Sequence, residues 1–380
     1  MIEKLGLVLL IVVIGQLTFL CFFLFTSKQG KVLSNRILGI FFLLLAVNLI
    51  DLLLKFNGYD SFYRPLALVD DAFVLLYGPL IFLYSYTIIY KDVKWINRWW
   101  WHFVPFILLA FFMLLIQNLH PVSQQTQMLE DIDQFRLPKA IFLAMSLTYL
   151  HPLIYLLWSY RLLSQYRQSI RAQFSNIGTI DLKWLGFTLN SVLFLMVVAI
   201  LHALAPVIFQ TDFARLSLLV LIIWLLFFVN RWLLKALKHS ELFEGIAALP
   251  KVKYRGSRLS EDEGGKLRLA LERYLEDKKP YLDADLSIDQ LANQMGTSAK
   301  KLSQVINQSY GQRFYEWVNG HRIAEAKELL VSQPDRTVLE ILYQCGYNSK
   351  SSFNTFFKKY TGTTPTAFRV KKISEKGSSS

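Results

Sequence analysis

The sequence predicts an all-α protein in which a seven-transmembrane-helix bundle precedes a cytosolic domain of two helix-turn-helix units joined by a linking helix. Three observations favour this fold. Hydrophobic residues make up 53% of the 380 residues, and the mean hydropathy is +0.34. Charged residues make up 18%, against about 25% in ordinary soluble domains. The long apolar runs all precede residue 240, whereas the last third of the chain is polar and internally repeated.

Seven apolar runs of about 18 to 26 residues are each long enough to cross the ~30 Å hydrocarbon layer as a helix. Helices in soluble cores are usually shorter and polar on one face, whereas these runs are apolar all round. We therefore expect residues 1–238 to form a transmembrane sensor domain. The runs are Leu5–Phe25, Ile37–Leu54, Ala72–Tyr90, Trp99–Gln117, Pro138–Tyr160, Trp184–Phe209 and Ala214–Leu234.

The orientation of these runs follows from the distribution of Lys and Arg between the loops. One set of alternate loops carries about twice as many of these residues as the other set, and the richer side faces the cytoplasm. The amino terminus is then outside, and everything after the seventh helix is in the cytoplasm. The first run is also longer than the ~7–15-residue core of a cleaved signal peptide, so we expect it to be a span.

Ionisable and polar groups inside the apolar runs mark a candidate sensor pocket, because a charge at mid-bilayer costs roughly 2.5–3.5 kcal/mol. Asp51 and the Asp70–Asp71 pair are expected near the outer ends of their helices, where they could share a pocket for a cationic or polar signal ligand. The alternative is interfacial solvation, with the aspartates capping the third helix. The candidate residues are Asp51, Asp70, Asp71, His151 and His202.

The composition changes after Lys238. Residues 239–259 form a polar linker that contains Pro250, Gly245 and Gly256, and such a flexible stretch spans only ~25 Å on average. The domain that follows, residues 260–371, therefore stays near the bilayer. Ser260 and Glu263 form the pattern of a capping box at a helix start. Residues 372–380 are expected to be a disordered tail.

An internal repeat occupies this cytosolic domain. The two copies are Leu286–Gly311 and Arg336–Gly362, and each predicts a short helix, a turn that holds Gly296 or Gly346, and a second helix. This is the layout of a helix-turn-helix unit. Between the copies, Phe314–Val331 has a continuous helical pattern, which would hold the two units at a fixed separation.

Two units joined by a helix resemble the DNA-binding domain of bacterial AraC/XylS-type transcription regulators, over roughly Tyr281 to Arg369. The sequence departs from the family pattern at Ile306, Leu342, Gln304 and Thr355, and the last two positions affect the expected base preference. The resemblance implies double-stranded DNA as a partner and pairing of two copies on DNA. The matching residues are Leu291-Ala292, Gly296, Ser298, Arg322-Ile323, Ala326, Leu329-Leu330, Ile341, Gly346-Tyr347, Ser351, Phe353, Phe357-Lys358, Gly362, Thr364-Pro365 and Arg369.

In this architecture the second helix of each unit enters the major groove, where the base edges are distinguishable. Alignment with the family places Lys300, Ser303, Gln304, Ser351, Ser352 and Thr355 at the bases. Three lysines, Lys301, Lys358 and Lys359, are expected at phosphates, which position the protein without specifying sequence. For any single lysine the alternative is an ordinary solvated helix face, since surface lysines are common.

The leading hypothesis is a membrane-embedded one-component transcription regulator, with a lipid bilayer, promoter DNA and an unknown signal as partners. The net charge of +13 suits contact with phosphates. We expect no metal site, because Cys21 and Cys345 are far apart and no metal-ligand spacing occurs. We also expect no cofactor and no enzyme activity. The alternative is a membrane transporter or enzyme with a regulatory DNA-binding tail, although the sequence lacks the common nucleotide-binding and hydrolase motifs. A third interpretation makes the spans a passive anchor.

Overall fold

The computed structural model describes residues 2–27, 32–57, 70–90, 94–119, 124, 148–178, 180–208, 211–238 and 260–377. Helices dominate these residues, and the only β-structure among them is an isolated bridge between Phe174 and Ser287. The predicted all-α class is confirmed. The chain divides into two compact units. Met1–Ser164 with Lys183–Ala248 form the N-terminal unit, and Gln165–Leu182 with Leu249–Ser380 form the C-terminal unit.

Most helices before the linker are apolar, whereas the second half of the helix Leu150–Gln173 is polar. Those described are α1 (Ile2–Thr26), α2 (Val32–Phe56), α3 (Val74–Ile89), α4 (Val104–Leu119), α5 (Leu150–Gln173), α6 (Lys183–Ile208) and α7 (Thr211–Lys238). Four stretches are long and apolar enough to cross a membrane: Gly6–Thr26, Val32–Phe56, Lys183–Leu204 and Leu216–Leu234. The start of the fifth predicted run, residues 138–147, lies outside the described residues, so the count of seven spans stays a prediction.

In the N-terminal unit, α1 packs against α2 and α7, α2 against α3, and α6 against α7. Aromatic side chains fill its interior, where the Trp232 ring lies 6.0 Å from Phe42 and 5.8 Å from Trp184. Large apolar side chains also cover its outer surface, and Phe22 and Phe111 are 68% and 65% exposed. Apolar groups on the outside as well as the inside are typical of helices that face lipid.

The C-terminal unit contains the predicted repeat. Its helices are α8 (Glu261–Lys278), α9 (Ile288–Gln294), α10 (Ala299–Tyr310), α11 (Phe314–Ser332), α12 (Val338–Gln344), α13 (Lys350–Thr361) and α14 (Pro365–Gly377). The pairs α9–α10 and α12–α13 are the two helix-turn-helix units, and α11 is the linking helix. Each of these pairs forms where the glycine-punctuated repeat predicts it.

Helix caps fix where these elements begin. Ser260 accepts a hydrogen bond from the Glu263 amide at the start of α8, which is one of the two hydrogen bonds of the predicted capping box. Reciprocal capping boxes, which the sequence analysis did not predict, open the first helix of each unit, one at Ser287 and Gln290 and the other at Thr337 and Glu340. A Ser or Thr followed three residues later by Gln or Glu was the available signal.

Each helix-turn-helix unit has its own apolar core, and α11 contributes to both cores. Trp317 and Val318, near the start of α11, pack into the core of the first unit with Leu302. Ile323 and Leu330, further along the helix, pack into the core of the second. Since one helix supplies side chains to both cores, the two units are held at a fixed separation by buried contacts.

Gly346 offers a test of the packing in the second unit. Its φ is +76°, and a Cβ there would lie 2.6 Å from the Leu282 carbonyl oxygen. We expect Gly346→Ala to lower the free energy of unfolding of this unit by about 3 kcal/mol, because the backbone strain adds to a clash with main chain. Hydrogen exchange of the α12 and α13 amides in the intact chain would measure this loss.

The matched control is Gly296→Ala, in the equivalent turn of the first unit. Gly296 has a φ of +65°, but no heavy atom lies within 4 Å of its added Cβ. Backbone strain alone then applies, and we expect a loss of about 1 kcal/mol. Equal losses at the two turns would show that the close approach of Leu282 has no energetic consequence.

Candidate nucleic-acid interface

The second helix of each unit is oriented by its buried face. On α10, Leu302, Val305 and Ile306 are at most 2% exposed. The corresponding residues on α13 are Phe353, Phe356 and Phe357, which are also buried. Ser298 and Ser349 cap the two helices by accepting hydrogen bonds from the amides of Lys301 and Ser352. With one face fixed in a core, the opposite face of each helix is directed outward.

The predicted base-facing residues lie on these outward faces. Ser351 and Thr355 are exposed, and the others are partly exposed: Lys300, Ser303, Gln304 and Ser352. The Thr355 hydroxyl donates to the Ser351 carbonyl oxygen at 2.8 Å. The structure thus presents both sets of polar side chains at the surface of their helices. Their approach to bases stays a prediction.

The three candidate phosphate ligands, Lys301, Lys358 and Lys359, are exposed. The Lys359 ammonium lies 5.8 Å from the centres of both the Phe356 and Tyr360 rings, a cation–π distance. The Tyr360 hydroxyl donates to the Glu316 carbonyl oxygen at 3.0 Å, which ties the end of α13 to the linking helix. The cation of Lys359 is therefore held close to the helix surface.

Arg322, in the middle of the linking helix, is 1% exposed. Its Nε donates to the Tyr281 carbonyl oxygen and one terminal nitrogen donates to the Asp283 carbonyl oxygen, both at 2.6 Å. Its guanidinium also lies 5.5 Å from the centre of the Tyr347 ring in the second unit. Burial lowers the pKa of Arg322 from its usual value, but a guanidinium still keeps its proton.

These contacts make Arg322 a connector between the units, a role the sequence analysis did not predict. The chain just before the first unit, the linking helix and the turn of the second unit all contact one side chain. Burial raises the pKa of the Tyr347 hydroxyl, so the ring faces the guanidinium as a neutral phenol. In sequence Arg322 stood out only as a residue shared with the resembled family.

The candidate sensor residues have local partners in the N-terminal unit. Asp51 pairs with Lys55 at 2.8 Å, and the His202 ring nitrogen lies 2.9 Å from the Ser217 hydroxyl. The His151 ring lies 5.0 Å from the Tyr155 ring. Asp70 and Asp71 begin a short 3-10 helix before α3, but their side chains lie outside the described part of the chain. A shared outer pocket stays a prediction.

Gln304 gives a test of base recognition. A glutamine amide can pair bidentately with adenine in the major groove, worth about 1–3 kcal/mol of discrimination. We expect Gln304→Ala to lose about tenfold of the preference at one base pair of the bound sequence and to keep the preferences elsewhere. Binding of the intact chain to a set of single-base operator variants would measure this. Gln308→Ala, one turn further along α10, is the control and should leave every position unchanged.

Comparisons with known proteins match the C-terminal unit. The family profile described as a helix-turn-helix domain matches residues 291–371. The chain is 33% identical over 84 residues to the probable transcription factor PqrA of Proteus vulgaris. This alignment covers 22% of this chain and 68% of PqrA. It is 36% identical over 89 residues to an uncharacterized HTH-type transcriptional regulator of Staphylococcus aureus (strain COL), covering 23% of this chain.

The matched segment spans only 12% of that staphylococcal relative. Among solved structures, the C-terminal domain of AraT, a response regulator from Geobacillus stearothermophilus, is 30% identical. The alignment covers 30% of this chain and 88% of that domain, with a TM-score of 0.25.

Proposed function

Because this chain belongs to the AraC/XylS-type helix-turn-helix transcription regulators, we propose that it is a membrane-embedded one-component regulator that binds promoter DNA under the control of a transmembrane sensor domain. The observation that carries the proposal is the pair of outward polar faces, on α10 and α13, held by one linking helix. Two such helices at a fixed separation suit the successive major grooves of one duplex.

The membrane part of the proposal rests on length and charge. Four apolar helices are long enough to cross a bilayer and indicate association with a membrane. The excess of Lys and Arg in alternate loops supports a multi-pass protein of the bacterial inner membrane, with its amino terminus outside and its carboxy terminus in the cytoplasm. Residues 1–238 would be the sensor, 239–259 the linker and 260–371 the DNA-binding domain.

Control by a signal requires that the signal favours one arrangement of the helices over another. Polar groups within the apolar helices of the N-terminal unit, such as the buried Asp51 and the partly buried His202, support a sensor there, since polar groups in spans are costly unless they serve a purpose. Pairing of two copies on adjacent DNA sites belongs to the same proposal.

Genome-wide mapping of DNA bound by the intact chain tests this function. We expect discrete sites upstream of genes that share one sequence motif. The same mapping with the Lys301, Lys358 and Lys359 side chains replaced by glutamine is the control, and should lose those sites. An even distribution over the chromosome would contradict sequence-specific regulation.

A span-replacement experiment separates sensing from anchoring. Residues 1–238 would be exchanged for an unrelated set of spans with the same final orientation, and the output of a reporter gene measured at the mapped promoter. If residues 1–238 sense the signal, the output becomes independent of growth conditions that change it in the unmodified strain. Unchanged regulation would support the passive anchor instead.

A further inference from the structure

The chain that follows α5 belongs to the same compact unit as the DNA-binding domain, although it is more than a hundred residues away in sequence. We name residues 174–178 the docking segment. Ser175, at its centre, is 1% exposed. Burial of a serine in an inter-helix loop of a membrane protein calls for partners, and all those described lie in or next to the DNA-binding domain.

The docking segment pairs first with the chain that enters α9. Phe174 and Ser287 form an antiparallel bridge, and the Ser175 amide donates to the Leu286 carbonyl oxygen at 3.1 Å. Main-chain pairing is one of the recurring ways in which an extended peptide binds to a folded domain. The segment therefore contacts the first helix-turn-helix unit through its backbone.

The second set of contacts is with the linking helix. The Ser175 carbonyl oxygen accepts a hydrogen bond from the Asn319 side chain at 3.0 Å, and the Ser175 hydroxyl oxygen accepts one from Arg322 at 3.0 Å. Asn319 and Arg322 are each 1% exposed. Hydrogen bonds from a guanidinium are stronger than neutral ones, so the segment is held by the same side chain that connects the two units.

The third set of contacts reaches the second unit. Ser175 and Asn176 line a small cavity together with Asn348 and Ser352. A Cβ added to Gly178 would lie 3.8 Å from the Ser352 hydroxyl oxygen. Ser352 is one of the predicted base-facing residues of α13, and it is half-buried where its neighbour Ser351 is exposed. The segment thus occupies space beside a side chain that DNA would approach.

On these contacts, and resting on the proposed function, we propose that the docking segment is an intramolecular ligand of the DNA-binding domain that keeps its affinity for DNA low. The segment and the duplex both need the space beside Ser352, so docking and full DNA contact exclude each other. Helix α5 ends at Gln173, immediately before the segment, so movement of the apolar helices changes the docked fraction. A signal that undocks the segment raises DNA affinity.

A disulfide that locks the docked state tests this inference. The antiparallel pair Phe174 and Ser287 is not hydrogen-bonded to each other, and such pairs have Cα atoms about 4.5 Å apart, within the range of a disulfide. The variant is Phe174→Cys with Ser287→Cys, in the intact chain in lipid nanodiscs. Native Cys21 and Cys345 are both buried, so they do not compete for oxidation.

The probe is a duplex selected from a random library by the reduced variant. We expect the oxidised variant to bind it at least about tenfold more weakly, with recovery on reduction, because a locked segment removes the high-affinity state. The single variants Phe174→Cys and Ser287→Cys are controls and should not respond to oxidation. Equal or tighter binding after cross-linking, or no cross-link under oxidation, would overturn the docking proposal.

A second variant works in the opposite direction. Ser175→Ala removes one acceptor of the Arg322 hydrogen bond and should raise the affinity of the intact chain for the duplex about fivefold. Ser332→Ala, at the end of α11, is the control and should have no effect. Unchanged or lower affinity of Ser175→Ala would count against the proposal. If every form of the chain lacks sequence preference, it is the proposed function that fails.

Discussion

Replacing Arg322 with alanine is expected to lower the free energy of unfolding of the DNA-binding domain by about 4 kcal/mol and to abolish specific DNA binding. The side chain is 1% exposed and donates to the carbonyl oxygens of Tyr281 and Asp283 at 2.6 Å. Alanine leaves these acceptors without their donor and creates a cavity between the two units, and each effect costs several kcal/mol. Hydrogen exchange of the α9–α13 amides in the intact chain would measure the loss.

Two further variants of the same helix make the result specific. Lys327 is exposed on α11, so Lys327→Ala should change stability by less than about 0.5 kcal/mol. Arg322→Lys keeps the charge but cannot donate in two directions from a planar fork, and should lose most of the stability that alanine loses. If Arg322→Ala and Lys327→Ala had equal effects, Arg322 would not connect the units as described.

The three candidate phosphate contacts are expected to supply a large part of the affinity for DNA. We expect the variant with Lys301, Lys358 and Lys359 all changed to glutamine to bind its duplex about a hundredfold more weakly at physiological salt. Each lysine that neutralises a phosphate releases a counterion, so the slope of log K against log salt should become shallower by about two to three. A salt titration of binding by the intact chain would measure both quantities.

The control for this variant carries the same change in charge elsewhere. Lys266, Lys278 and Lys327 are exposed on α8 and α11 and do not belong to the second helices of the units. Changing these three to glutamine should reduce the affinity only slightly. If the two triple variants lost equal affinity and equal salt dependence, the lysines of α10 and α13 would be ordinary solvated residues, as the alternative interpretation has it.

The helix-turn-helix units were predictable because their signals are local. Gly296 and Gly346 have a φ of +65° and +76° in the turns, so the punctuation seen in the sequence reflects a conformation that other residues adopt only with strain. The apolar residues of α10 and α13 also recur at helical spacing, which is a local signal for the face that is buried. The capping boxes at Ser287 and Thr337 have a local signal too, a Ser or Thr followed three residues later by Gln or Glu.

The contacts of Arg322 and Ser175 could not be predicted in this way. Their hydrogen bond joins residues 147 positions apart, and neither periodicity nor composition carries information over that separation. A buried arginine is also rare, so an exposed position was the default expectation. On sequence alone residues 165–182 fall within the membrane domain, whereas their contacts group them with the DNA-binding domain.

The apolar helices show a similar division between local and non-local information. The approximate bounds of several of them followed from composition, but 3-10 segments at Asp70–Phe73 and Lys94–Phe103 precede α3 and α4, and α5 continues to Gln173, beyond the predicted end at Tyr160. The pairing of Asp51 with Lys55, four residues apart on α2, was readable from the sequence and was missed. The contact between His202 and Ser217 depends on how α6 and α7 pack, which the sequence pattern does not specify.

In the proposed function, one chain embedded in a bilayer recognises a DNA sequence. The most direct test is equilibrium binding of the intact chain in lipid nanodiscs to its selected duplex and to a scrambled duplex of the same composition. We expect a preference of at least about a thousandfold for the selected duplex at physiological salt, and affinities that fall log-linearly as salt rises. Equal affinity for the two duplexes, or no binding to either, would contradict it.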